Sequence, residues 1–289
     1  MHEDVSSLAQ PAKRSRKGLV IAIICAALIL TGGAVAISLV LRPEKPTPEY
    51  FFTAQELIEN STKNWNDLAD PLREAIDNFN GGNITASKFA ESVSKAQTSI
   101  DAYRAALDQL KSSEYYSSDE DLRTSTDSLI DKSIYYLSGV EQKLKVANGL
   151  YGFSKTIEKL TAANYSKVLG ECAKYLQDTG DKQLAEFGER FVAIATEYIA
   201  AAAKYSKTGS AVDRKTYETK EREFQKLADD SESRLSTYST ILETIPRGQG
   251  EVIDELNSLM SFLVDKTKKP SEVRASGIID IRNDESSKT

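Results

Sequence analysis

The sequence predicts an all-α protein, with a single N-terminal transmembrane helix followed by an elongated antiparallel bundle of about six to seven helices. Three observations lead there. Gly18–Leu41 (GLVIAIICAALILTGGAVAISLVL) runs for 24 residues without a charge. Beyond it, apolar residues recur every three or four positions over long stretches, which is the period of one helix face. Short interruptions bearing Gly, Asn or Pro separate those stretches, and short connections set neighbouring helices antiparallel.

As a helix, the uncharged stretch would reach about 36 Å. A bilayer's hydrocarbon core is about 30 Å thick, so the stretch can cross it with some tilt. Lys13, Arg14, Arg16 and Lys17 crowd its N-terminal flank, whereas Arg42 and Lys45 on the other flank are diluted by Glu44 and Glu49. An excess of Lys and Arg marks the cytoplasmic side, so the N-terminus is expected inside and the C-terminus outside, in the plasma membrane. A cleaved signal peptide is the competing reading, because Ala34-Val35-Ala36 has the small-x-small form of a cleavage site. Against it, the apolar run continues through Ile37, Leu39, Val40 and Leu41.

The expected organisation is therefore a basic cytoplasmic tail (1–17), a signal anchor (18–41), a Pro-rich spacer (42–52), an extracytoplasmic helical bundle (53–270) and a polar tail (271–289). The chain has 289 residues, 40% hydrophobic and 28% charged, which is a globular rather than a disordered balance. Five of its 37 basic and two of its 43 acidic side chains precede residue 43, so the remainder carries a net charge of −9. Such a body suits phosphate backbones poorly, and nucleic acid is not an expected partner.

Arg42–Phe52 carries Pro43, Pro46 and Pro48, which favour an extended spacer. Thr53-Ala54-Gln55-Glu56 has the form of a capping box opening the first helix. Leu57, Trp65, Leu68, Leu72, Ile76 and Phe79 follow at helical spacing. Asp70-Pro71 either kinks that helix or caps a new one. Asn80-Gly81-Gly82-Asn83 supplies its stop.

Phe89, Val93, Ala96, Ile100, Tyr103, Leu107 and Leu110 form the cleanest seam, spaced like a coiled coil. A polar linker from Lys111 to Ser118 follows and carries Tyr115-Tyr116. The third helix is expected from about Asp119 to Ala147 and is closed by Asn148-Gly149. From Leu150 to Asp178 the pattern weakens at Ala163-Asn164, so one helix or two are open there. Thr179-Gly180-Asp181 reads as a stop and a fresh cap. Leu184, Phe187, Phe191, Ile194, Tyr198, Ala201 and Tyr205 repeat the heptad up to Thr208-Gly209-Ser210. The next helix is expected to be the longest, about Ala211 to Thr244, with Tyr217, Phe224, Leu227, Leu235, Tyr238, Leu242 and Ile245 inward. Val252, Leu256, Leu259, Leu263 and Val264 mark a last helix ending before Pro270.

The chemistry of the body is narrow. The chain's single histidine is His2, and Cys172 is the one cysteine outside the apolar span. Imidazole-based nucleophile pairs and thiolate metal sites therefore have no residues to build them. Neither a P-loop nor a dinucleotide glycine pattern occurs. The sequence thus gives no catalytic, cofactor-binding or metal-binding residues. Cys172, between Leu169 and Leu176, reads as a small buried hydrophobe. Tyr115 and Tyr116 are the candidate partner-binding residues, because paired aromatics in a linker are enriched in recognition surfaces.

The expected function is a single-pass, membrane-anchored protein whose ectodomain binds or scaffolds other envelope components. Membrane lipid is the partner of residues 18–41, and another protein, or a second copy of the chain, is the partner of the body. A small-ligand receptor is the alternative, since cavities between bundle helices bind ligands. A carboxylate-dependent envelope hydrolase is the third reading, and it needs no histidine.

Overall fold

The structure, a computed structural model, describes residues 48–161, 163–245 and 249–268. Among them every regular element is helical, as the sequence predicts. The elements are α1 (Pro48–Gly81), α2 (Ala86–Ser112), α3 (Glu114–Ser118), α4 (Glu120–Ile157), α5 (Tyr165–Gln177), α6 (Lys182–Thr208), α7 (Ala211–Ser236), a 3-10 turn (Leu242–Thr244) and α8 (Gln249–Thr267). The basic tail, the Gly18–Leu41 span, the spacer up to Thr47 and the 271–289 tail lie outside the described residues. None of the described helices is long and apolar enough to cross a membrane.

α1 starts earlier than the Thr53 box implies. It opens at Pro48, where a missing N–H costs little because first-turn N–H groups have no intrahelical partner. Thr53 consequently lies inside the helix, and its Oγ1 donates to the Glu49 carbonyl at 3.3 Å. The extra turn buries Phe51 alongside Ala54 and Ile58, and that burial decides the boundary. The helix also continues through Pro71. Leu68 and Leu72 are fully buried on either side of it, so one continuous apolar face outweighs the hydrogen bond that Pro71 cannot make. Gly82, at φ +63°, ends the segment as expected.

α2 buries Phe89, Ala96, Ile100, Tyr103, Leu107 and Leu110, which is the predicted seam with Val93 at its edge. Thr85 caps it, accepting from the Lys88 N–H at 3.3 Å. α1, α2, the first part of α4 and α8 enclose one core in which each helix packs on two neighbours. α2 and α8 run opposite to α1 and α4. Thr267, at the end of α8, donates to Gln55 near the start of α1, and Ser128 and Lys132 of α4 reach Glu255 of α8. Trp65 stands at the centre, its ring 5.3 Å from Tyr103 and 5.5 Å from Tyr136.

α4 departs most from expectation. It runs 38 residues, straight through Asn148-Gly149, and is the longest described helix. Gly149 and Gly152 face α5 instead of stopping α4. A Cβ on Gly149 would meet the Tyr175 carbonyl oxygen at 2.5 Å, and one on Gly152 would meet the Tyr175 ring at 2.2 Å. The two glycines let α5 lie against α4. The break comes later, where the Asn164 side chain accepts from the Thr161 N–H and donates to the Lys159 carbonyl.

The last part of α4 serves a second core. Val146, Leu150 and Phe153 pack there with Val168, Leu169, Cys172 and Leu176 of α5, Leu184, Phe187, Phe191 and Ala195 of α6, and Leu227 of α7. Gly180 (φ +71°) and Asp181 make the predicted stop and cap, with Asp181 accepting from the Gln183 and Leu184 N–H groups at 2.8 and 3.0 Å. α7 ends at Ser236, short of the expected Thr244. Turns and the 3-10 segment then fold Leu242 and Ile245 into the first core.

Candidate interaction surface

α6 and α7 form an antiparallel hairpin whose outer half has no third helix against it among the described residues. α6 runs in the same direction as α4. Gly180, just before it, lies by Lys145, while the Phe187 and Phe191 rings lie 6.2 and 5.3 Å from Phe153. α4 stops four residues after Phe153, whereas α6 continues for 17 residues after Phe191. At 1.5 Å per residue, α6 outruns α4 by roughly 20 Å. Along its length α7 packs chiefly on α6 among the described helices.

The outer half is held by three devices. The first is a ladder of rings, with Tyr205–Tyr217 at 5.8 Å, Tyr217–Tyr198 at 5.8 Å, Tyr198–Phe224 at 5.1 Å and Phe224–Phe191 at 6.2 Å. It joins the tip to the second core. The second is an edge of ion pairs: Arg190–Asp230 at 3.6 Å, Glu197–Lys220 at 2.6 Å and Lys204–Asp213 at 2.8 Å. The three α6 residues are a heptad apart, so they share one edge of the helix. The third is the tip, where Gly209 takes φ +60°. There Asp213 accepts from the Thr208 and Ser210 hydroxyls, both at 2.6 Å. The Lys204 bond, with those from Ser210 and Thr208, holds the Asp213 carboxyl far below the usual carboxylate range. Tyr198, Tyr205, Tyr217 and Phe224 stay half-buried, and Val212 beside the tip is 77% exposed.

A second surface lies on α4. Tyr135 is 85% exposed and Ile134 47%. One turn on, Gly139 faces open space, with no atom within 4 Å of where a Cβ would stand. Tyr135 and Gly139, together with Lys132, Lys143 and Glu251, line a groove of about 560 Å³. The Lys132 ammonium donates to Glu255, and that bond raises its pKa. Lys143 donates to the Thr244 carbonyl at 3.2 Å.

The predicted pair Tyr115 and Tyr116 falls on α3 and divides between inside and outside. Tyr115 is 2% exposed and belongs to the first core. Its hydroxyl has no hydrogen-bond partner among the described residues, and burial pushes its phenol up. Tyr116 is half-buried and donates to Asp127, a bond that raises its own pKa. Of the two rings, Tyr116 is the more exposed, while Tyr115 lines a surface pocket with Glu49, Tyr50 and Glu114. Cys172 is fully buried, as expected, and burial pushes its thiol up to about 11. No group of three or more metal-ligating side chains gathers among the described residues.

Both new surfaces left traces in the sequence. The hairpin shows as aromatic heptads flanking Thr208-Gly209-Ser210. Tyr135 shows as a large ring next to Tyr136, three residues before Ser138-Gly139 in the middle of the helix-patterned stretch. No family model matches the chain, and neither a curated protein nor a solved structure is significantly similar to it.

Proposed function

We propose that the protein is a single-pass, membrane-anchored scaffold of the cell envelope that presents the α6–α7 hairpin to a protein partner. The observation that carries this reading is the hairpin's outer half, a ringed seam left half-buried and flanked by helix faces with no neighbouring helix among the described residues. Such a surface gains by accepting another helix, because half-exposed aromatic and aliphatic area is still to be removed from water. The anchor rests on the uncharged Gly18–Leu41 stretch and its basic N-terminal flank. On this reading the N-terminus lies in the cytoplasm and the bundle outside.

The test is in-cell cross-linking with the segment 196–222 replaced by a short glycine linker. The expected result is loss of the captured partner while circular dichroism and membrane fractionation still show a folded, anchored bundle. An unchanged partner set overturns the role of the hairpin. Mature protein beginning near Ile37, or a C-terminal reporter active in the cytosol, overturns the anchored topology.

A further inference from the structure

We infer that Asn80 is a site of spontaneous covalent modification, converting to aspartate and isoaspartate through ring closure by the Gly81 backbone nitrogen, while the fold protects the chain's other Asn-Gly pair. This site is separate from the hairpin and does not rest on the partner-binding reading. Glycine after asparagine favours the chemistry, because it puts no Cβ beside the forming ring and leaves the backbone free to turn. The chain has two such pairs, Asn80-Gly81 and Asn148-Gly149. In the first step the Gly81 nitrogen gives its proton to hydroxide and attacks Asn80 Cγ. The N–Cγ bond forms, the Cγ–Nδ2 bond breaks, and the leaving nitrogen takes a proton from water and departs as ammonia. Water then opens the five-membered imide, at Cγ to give aspartate or at the main-chain carbonyl carbon of residue 80 to give isoaspartate. The net change is one water consumed and one ammonia released, with no oxidant, metal or enzyme.

Closure requires the asparagine backbone to leave its helical conformation, so the local hold on each pair decides its fate. α1 ends at Gly81, and helix ends fray. Asn80 and Gly81 are exposed, and a Cβ on Gly81 or Gly82 would meet nothing within 4 Å, so no neighbouring element braces the turn. The Gly82 N–H reaches the Asn78 carbonyl only at a stretched 3.4 Å. The ties lie on either side. The Phe79 ring stands 5.8 Å from Phe89 and 6.3 Å from Tyr151, and the Tyr151 hydroxyl bonds both the N–H and the carbonyl of Ile84. Residues 80–83 between them are left to turn. Asn148 is the opposite case. It sits inside the 38-residue α4, and its Gly149 is buried. A Cβ there would meet the Thr179 methyl at 2.3 Å and the Tyr175 carbonyl oxygen at 2.5 Å, so this backbone has no room to turn without opening the second core. At Asn80 the products matter as well. No basic residue stands in the last turn of α1, so a new carboxylate at a helix C-terminus is unfavourable, and isoaspartate also inserts a methylene into the backbone.

The test ages the full-length protein in detergent at mildly alkaline pH, folded and in parallel in denaturant. Peptide mapping by mass spectrometry follows both pairs, with heavy-oxygen water marking each new carboxylate. In the folded protein Asn80 should convert about tenfold or more faster than Asn148, with isoaspartate among its products, and in denaturant both should convert. Gly81→Ala should slow conversion at Asn80 by about tenfold or more. The added methyl meets open space, so the thermal midpoint of that variant should stay the same or rise. Equal rates at the two pairs in the folded protein overturn the proposal, as does an Asn80 that stays intact while the denatured chain converts. So does an Asn148 that is inert in denaturant too, or a Gly81→Ala variant that converts as fast as the wild type.

Discussion

Arg104 of α2 lays its guanidinium fork across both carboxylate oxygens of Glu141 on α4, with Nη2–Oε2 at 2.6 Å. Gln97 adds a third donor to the same carboxylate at 2.7 Å. The three side chains lock α2 to α4 midway along the first core. Burial pushes the Glu141 carboxyl up, and the Arg104 and Gln97 bonds more than offset it, so its pKa lies below the ordinary value.

Glu141→Gln should cost about 1–2 kcal/mol at neutral pH, the size of a partly exposed, charge-assisted bidentate pair. The pH dependence follows from the depressed pKa. The pair's contribution is present above the ordinary Glu value of about 4.3 and is lost as pH falls through the lower folded value. Denaturant midpoints of wild type and variant should therefore differ at pH 7 and converge in strong acid. A gap that persists there would assign the effect to packing rather than charge.

The mid-helix glycines of α4 should respond in opposite ways. Gly149→Ala drives a Cβ to 2.5 Å from a backbone oxygen of α5, so it should destabilise the second core by about 1–3 kcal/mol. Gly139→Ala meets open space and should stabilise by about 0.5–1 kcal/mol through lower helix-forming entropy. Urea denaturation of the two variants checks the contrast, and equal effects would refute the close-approach role of Gly149.

Asp213→Asn should loosen the hairpin tip without unfolding either core. Faster amide exchange at Gly209–Asp213 and faster proteolysis there would report it. In the wild type the tip should stay protected at pH 4, where ordinary aspartates near 3.9 are half-protonated. Its carboxyl is depressed by Lys204, Ser210 and Thr208, so the tie is present above the ordinary aspartate value and is lost as pH falls through the folded one.

Cys172 should resist thiol reagents in the folded protein. Its side chain is fully buried and its thiol is pushed up to about 11, so at pH 8 about one thiol in a thousand is ionised. Labelling with a chromogenic disulfide should proceed at the unfolding rate and become immediate in denaturant. Rapid labelling of native protein would show that the second core opens.

The sequence by itself determined which residues turn inward along α1, α2, α4 and α8 and where the stops at Gly82, Gly180 and Gly209 fall. Leu68, Ile100, Leu129 and Leu256 are buried because the three-and-four spacing puts them on one face whatever the neighbour is. Gly180 and Gly209 stop their helices because Asp181 and Ser210 follow at once as caps. Tertiary structure alone decided the meaning of signals that fit two outcomes. Gly149 suits a helix stop or a close contact equally, and only the arrival of Tyr175 selects the second. Pro71 and the Thr53 box look like local boundaries, yet burial of Leu68, Leu72 and Phe51 on continuous faces carries the helix past them. Tyr115 lies inward and Tyr135 outward for the same reason. Hydrophobic burial depends on which surfaces meet, and one-dimensional spacing does not encode the partner of a face.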